Sequence, residues 1–259
     1  MATLVATAGA TNANSYPTLA EALDYFERRT TVDGWENGDQ EVLLMMATRV
    51  LDAMARPHKT FVPEQGGVPA HWITSPTWTG APASTTQKLA WPRSGMYDAN
   101  GNSLDWGITG ISQAVAPVIT TDRAHGLTTS DEVFIYGSDS DPLVDGAYAV
   151  TVLSATTFSI LATVTTAGTT GTMTVVPADL KDATAELAGA LGTTDTTLDS
   201  DIIIQGITSL KAGSVSMSFK DMIEKHVLPD MIWNMMPSSW FTDEVYSYVN
   251  SALFDVVSE

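Results

Sequence analysis

The chain has 259 residues, 44% apolar and only 16% charged, with 30 acidic against 12 basic side chains and a formal net charge of −18. That balance excludes a bulk electrostatic grip on nucleic acid, which needs clustered Lys and Arg, and the apolar content with seven each of Trp, Tyr and Phe excludes a disordered chain. Zero cysteines exclude disulfides, thiolate metal sites and a Cys nucleophile together.

No apolar run reaches the roughly 18 residues of a membrane span. The opening MATLVATAGATNANSYP lacks the basic start of a signal peptide, so a soluble protein made in a reducing cytoplasm is expected.

In chain order, Tyr16-Pro17-Thr18 leads into a capping box completed by Glu21. Leu19, Ala22, Leu23 and Phe26 then predict an amphipathic helix over 19–29. A polar connection carrying Trp35 precedes a second helix over 39–55, with Val42, Leu43, Met46, Val50 and Met54 on one face and Pro57 as its stop. From 57 to 92 the composition turns to Pro, Gly, Ser and Thr without periodicity and reads as a long loop.

Between 108 and 175 the pattern becomes β. Strand-sized runs at 116–121, 132–136, 147–153, 157–161 and 172–176 are punctuated by glycines, as in a small all-β unit. A helix is expected from Ala178, with Leu180, Ala183, Leu187, Ala190 and Leu191 on its face. Two strand candidates follow at 202–207 and 214–219. The proline-broken segment 220–236 is Met-rich and suits either core filling or an adaptable surface. Val245, Tyr248, Val249, Ala252, Leu253 and Val256 recur at helical spacing, predicting an amphipathic C-terminal helix that needs a partner.

Chemistry-bearing motifs are sparse. The four histidines show no i, i+4 pair and no HExxH, and neither GxSxG, a P-loop nor GxGxxG occurs. The acidic run 137–146 places Leu143 and Val144 where a calcium loop needs a ligand and a glycine, so it reads as a turn between strands. His125, in Ala124-His125-Gly126, reads as a turn residue bonding the backbone rather than as a catalytic base. No catalytic residue, cofactor or metal ligand is assigned, and the chain is not expected to be an enzyme. An enzyme acting on surface glycans would need paired carboxylates, and the many Asp residues fall mostly in turns.

The blocks YPTLAEALDYF (16–26), ATRVLD (47–52), LAWPRSG (89–95), VPADLKDATAELA (176–188) and LKAGSVSMSF (210–219) occur in an order that resembles the head–tail adaptor proteins of tailed bacteriophages. Related sequences are often called DnaT-like. The likeness covers 1–107 and 176–240. The runs from Ile108, Val118, Ala124, Val133, Val144 and Thr156 are instead similar to small FCCH-like β modules of virion proteins, named after a domain of ubiquitin-activating enzymes. No ubiquitin chemistry is implied.

The resemblance implies an α+β fold: a small helical-bundle, adaptor-like core with C-terminal strands and a helix, interrupted by a small all-β insertion domain. The divisions would be 1–107 and 176–241 for the core, 108–175 for the insertion and 242–259 for the terminal helix. The implied function is a structural virion protein at the head–tail junction, assembled in the host cytoplasm. It would form a homo-oligomeric ring of about twelve copies between the portal and a stopper or tail protein, away from any membrane. Double-stranded DNA would pass through the ring without specific binding, the acidic wall repelling it. Portal or subunit contacts are expected from Val215, Met217, Phe219, Met231, Ile232, Trp233, Met235, Trp240, Val245, Tyr248, Val249 and Leu253. The alternative is a single-stranded-DNA-binding or replication-associated protein, which would need a basic, aromatic-lined groove.

Overall fold

The computed structural model describes residues 3–29, 33–36, 38–56, 59–62, 71–74, 76–193, 209–212, 215–218, 228–243 and 245–248. In chain order the elements begin with helices α1 (Leu19–Glu27), α2 (Asp33–Glu36) and α3 (Gln40–Ala53), then strands β1 (Lys59–Val62), β2 (His71–Thr74), β3 (Ala81–Pro82) and β4 (Arg93–Ser94). Strands β5 (Asp105–Ile111), β6 (Val118–Thr121), β7 (Glu132–Tyr136), β8 (Gly146–Ser154), β9 (Thr157–Ile160) and β10 (Thr172–Thr174) follow. Helix α4 (Ala178–Thr193), strands β11 (Ser209–Ala212) and β12 (Val215–Ser218), helix α5 (Asp230–Met235), a 3-10 turn (Ser238–Trp240) and strand β13 (Val245–Tyr248) complete the order.

These elements form two compact units interleaved along the chain. The first comprises Met1–Ala6, Ser15–Val50 and Ala178–Met236; the second comprises Thr7–Asn14, Leu51–Pro177 and Pro237–Glu259.

The first unit holds α1, α2, most of α3, α4 and α5, together with the antiparallel pair β11-β12. Its α1 starts as the sequence predicts: Thr18 Oγ1 accepts the Glu21 N–H at 3.2 Å, and Glu21 Oε2 accepts the Thr18 N–H at 2.7 Å. Helices α1, α2 and α5 all pack against α4. Glycine permits the α2–α4 approach, because a Cβ on Gly192 would lie 2.0 Å from the Gly34 carbonyl oxygen. Phe26 and Trp35 stack at 4.5 Å between ring centroids, so the expected polar connection instead contains a short helix that buries its tryptophan. Glu186, buried on α4, accepts the Tyr25 hydroxyl at 2.7 Å and pairs with Arg29 at 2.8 Å. Burial first, then the Glu186 hydrogen bond and charge, push the Tyr25 phenol up to about 12.

Asp182 on the same helix is raised above its ordinary value, chiefly by burial, with Asp179, Asp24 and Glu21 adding repulsion against the relief from Arg28. A carboxyl raised on folding favours the folded state below its unfolded value of 3.8, and that contribution is lost as pH rises through the folded value. At neutral pH the ionised group is therefore a cost. Asp182→Asn is expected to raise the melting temperature at pH 7 and to give no gain at pH 3. An equal gain at both pH values in thermal melts would contradict this origin.

The second unit is built around a closed antiparallel barrel of strand order β10-β5-β6-β9-β8-β7, with β7 pairing back to β10. Alternation along short strands turns one side chain in two inward. The filling is Ile108, Ile111, Ile119, Val133, Ile135, Val144, Val150, Phe158, Ile160, Val164 and Met173, all buried. Two smaller sheets accompany the barrel, the pair β3-β4 and the three-stranded antiparallel sheet β1-β2-β13. Trp78, Trp91, Trp240 and Phe241 form an aromatic cluster, with Trp91 and Trp240 at 4.9 Å and Trp78 and Phe241 at 4.8 Å. The buried Arg93 donates from Nε to Thr79 O at 2.7 Å, from Nη1 to Ala90 O at 3.1 Å and from Nη2 to Gly80 O at 2.9 Å.

The expected α+β fold, a helical-bundle core with a small β insertion, is therefore corrected. The chain is a mixed α/β protein dominated by a closed six-stranded β-barrel, with few helices. The long loop expected over 57–92 contains β1 to β2 and β3, whose runs of two to four residues are too short to show a period. The expected C-terminal helix is also corrected where it is described. Val245–Tyr248 is a strand paired with β2, Val245 opposite Thr74 and Tyr248 opposite His71. Its Val-Tyr-Ser-Tyr sequence is rich in β-branched and aromatic residues, and a sheet partner outweighs an apolar spacing that also fits a helix. The strand expected at 202–207 lies outside the described residues. Among the described residues, no helix is long and apolar enough to cross a membrane.

Candidate functional site

Within the second unit, four segments line an open groove of about 800 Å³. Its floor is Phe134 to Gly137 and Asp145 to Ala147, at the end of β7 and the start of β8. One wall is Thr7–Asn12, and the other is Ala83–Thr86.

Each segment is held by local chemistry. Ala8 N–H donates to Glu132 Oε1 at the start of β7, which ties the first wall to the barrel. Gly9, at φ +68°, lets that segment lie directly on Phe134, since a Cβ there would come within 2.2 Å of the ring. Lys88 N–H donates to Ala10 O at 3.2 Å and links the two walls. The second wall is a polar turn in which Ser84 N–H donates to Gln87 Oε1 at 2.9 Å. The Ser84 and Thr86 hydroxyls lie 3.0 Å apart, and Gln87 Nε2 donates to Leu89 O and Pro92 O.

The groove is electrically quiet. Asp145 is the only charged residue in its lining, and both its oxygens are occupied. Oδ1 accepts the Ser138 N–H at 2.8 Å and Oδ2 the Gly137 N–H at 3.2 Å. Burial, followed by the Asp105 charge, pushes the Tyr136 phenol up to about 12, so it keeps its proton throughout the physiological range. With no histidine, lysine, arginine or glutamate in the lining, the arrangement supplies hydroxyls, amides and an aromatic surface for binding, without an acid–base pair.

The acidic run beside the groove is structural. Asp139 Oδ1 accepts the Thr169 N–H at 2.7 Å and the Thr170 N–H at 2.9 Å, and Oδ2 accepts the Thr169 hydroxyl. The Thr170 and Thr169 amides hold this carboxyl below its ordinary value. Among the described residues, no group of three or more His, Asp or Glu could hold a metal ion. His125 is buried, its Nδ1 accepts the Leu127 N–H at 3.0 Å, and its ring meets Phe158 edge-on at 5.6 Å. It bonds the backbone of its own turn, as the sequence suggests.

The residues expected to contact portal or neighbours are dispersed. Val215 and Met217 lie in β12, paired with β11. Met231, Ile232, Trp233 and Met235 share α5 in the first unit; Met231 is exposed, Trp233 and Met235 are half-buried, and Ile232 is fully buried. Trp240 belongs to the second unit's core, where its indole N–H donates to Tyr97 O at 2.7 Å. Neither Ile232 nor Trp240 presents a surface to a partner. Val245 and Tyr248 lie in β13, and Phe219, Val249 and Leu253 fall outside the described residues. Sequence reasoning missed the groove altogether. Its serine, threonines and Asn12 belong to no motif, and they meet only because hydrogen bonds such as Ala8–Glu132 and Lys88–Ala10 hold two loop segments beside the β7–β8 end.

Comparison with known protein families finds no match, and no curated protein is significantly similar to the chain.

Proposed function

We propose that the chain is a structural protein of a tailed-phage virion, forming a homo-oligomeric ring in the neck between portal and stopper or tail, around the DNA channel. The sequence blocks quoted above suggest the family. The observation that carries the reading is how the few cations are used. Arg28 pairs with Asp24, Arg29 with Glu186 and Lys181 with Glu21. Arg93 is buried among backbone carbonyls, and Arg123 donates to Ser103 O and Asp105 O while lying 5.2 Å above Trp106. Of these five, Arg93 is buried and the other four are paired or bonded at or near the surface, while Arg49, Arg56, Lys59 and Lys88 are exposed. Against these few cations stand 30 acidic residues, which give the chain its net −18. Such a surface repels a duplex rather than holding it, as suits a conduit and not a strand-binding protein.

Cryo-electron microscopy of virions, or of portal co-expressed with this chain, is expected to place the protein as a ring at the neck. Its absence from that position sinks the reading. Tight, salt-sensitive binding of single-stranded oligonucleotides would favour the replication role instead.

A further inference from the structure

We infer that the groove formed by Thr7–Asn12, Ala83–Thr86 and the β7–β8 end of the barrel is a binding site for a neutral oligosaccharide. The inference begins with what the lining excludes. An anionic ligand or nucleic acid finds no lysine, arginine or histidine there. A cation finds one carboxylate, Asp145, whose two oxygens already take the N–H groups of Gly137 and Ser138. A peptide adding as a strand finds no edge, because β7 is paired with β10 and β8, and β8 with β7 and β9. A lipid chain finds an open lining in which the hydroxyls of Thr7, Thr11, Thr85 and Thr86 and the Asn12 amide interrupt the alanines and Phe134.

What remains suits a molecule with both polar edges and C–H faces. Thr7, Thr11, Asn12, Thr85 and Thr86 are exposed and offer donors and acceptors, and half-buried Tyr136 offers aromatic surface. Sugar rings present equatorial hydroxyls to the former and an apolar face to the latter. A volume of about 800 Å³ lies within the range of small-molecule clefts and accommodates a few sugar units. The walls are anchored by the Ala8–Glu132 and Lys88–Ala10 hydrogen bonds, so the site exists before any ligand arrives.

The test is calorimetric titration of the full chain with maltotriose, cellotriose and chitotriose, backed by saturation-transfer NMR. At least one is expected to bind below about 10 mM. Thr85→Trp, at an exposed position where the new ring fills the groove without disturbing the core, is expected to weaken binding at least about tenfold, as is Tyr136→Ala. Trp72→Ala, at an exposed aromatic of β2, is expected to leave it unchanged. Failure of all three sugars to bind at about 10 mM overturns the inference. So does binding that survives Thr85→Trp, or that is lost in Trp72→Ala. The readout needs only the isolated chain, so its outcome is separate from the protein's position in a particle.

Discussion

Phe158→Ala is expected to destabilise the second unit by about 3–5 kcal/mol, the largest effect of any single truncation in the barrel. Phe158 is fully buried on β9, opposite Ile119 of β6 and Val152 of β8, so its ring fills the space where three strands meet. It is also the ring against which His125 rests. Truncation leaves a void that the closed barrel cannot collapse around, because moving one strand inward breaks pairing on both its sides. Phe158→Leu is expected to lose less, about 1–2 kcal/mol, since much of the volume stays filled. Urea unfolding followed by hydrogen exchange of the β6, β8 and β9 amides would measure both. A Phe158→Ala shift under about 1 kcal/mol would mean that the barrel interior is not close-packed at this layer.

Arg93→Lys is expected to cost about 2–3 kcal/mol although the charge is retained. The guanidinium is a planar fork whose three nitrogens reach the carbonyls of Thr79, Gly80 and Ala90 at once. A lysine ammonium has one nitrogen and cannot span the same three acceptors, so buried carbonyls lose their donor. Arg93→Ala is expected to be worse, at about 3–5 kcal/mol, because every acceptor is left and the space empties too. The carbonyl of Arg93 itself accepts the Thr174 hydroxyl at 3.2 Å, tying this node to the last barrel strand. The fork is therefore what stitches the turn at 79–80 to the run at 90–93. Chemical denaturation of both variants tests the order, and a lysine variant within about 0.5 kcal/mol of the parent would refute the role assigned to the fork.

What could be read from the sequence depended on how far apart the deciding contacts lie. Helix α1 was legible down to its capping atoms, because Thr18 and Glu21 are three residues apart and act locally. Strand β7 was legible end to end, and β6, β8, β9 and β10 nearly so, since each is a short run rich in β-branched and aromatic residues, with Gly137, Gly146 and Gly171 at or beside the ends of three of them. Strand β5 begins at Asp105 and contains two glycines, Gly107 and Gly110, which blur its alternation. The closure of the strands into a barrel was not legible, because the β7–β10 pairing joins residues far apart in the chain. The same distance hid the sheet β1-β2-β13, in which residues near 60, 72 and 246 find one another. For Val245 to Tyr248 a three-residue apolar spacing fits a helix turn, and only the presence of β2 decides for a strand. The groove was least legible of all: its side chains are chemically common, and their meaning comes from being neighbours.

The closed barrel also bears on how copies of this chain behave when crowded together. All six strands spend their backbone donors and acceptors on one another, so no barrel can recruit a strand from the barrel beside it. The sheet β1-β2-β13 is different: among the described residues its outer strands are each paired on one side only. Any backbone-to-backbone annealing between copies would therefore pass through that small sheet or through the two-stranded pairs β3-β4 and β11-β12, and leave the barrel untouched. The fold thereby separates a part that can be packed densely without sticking from a part where joining remains chemically open.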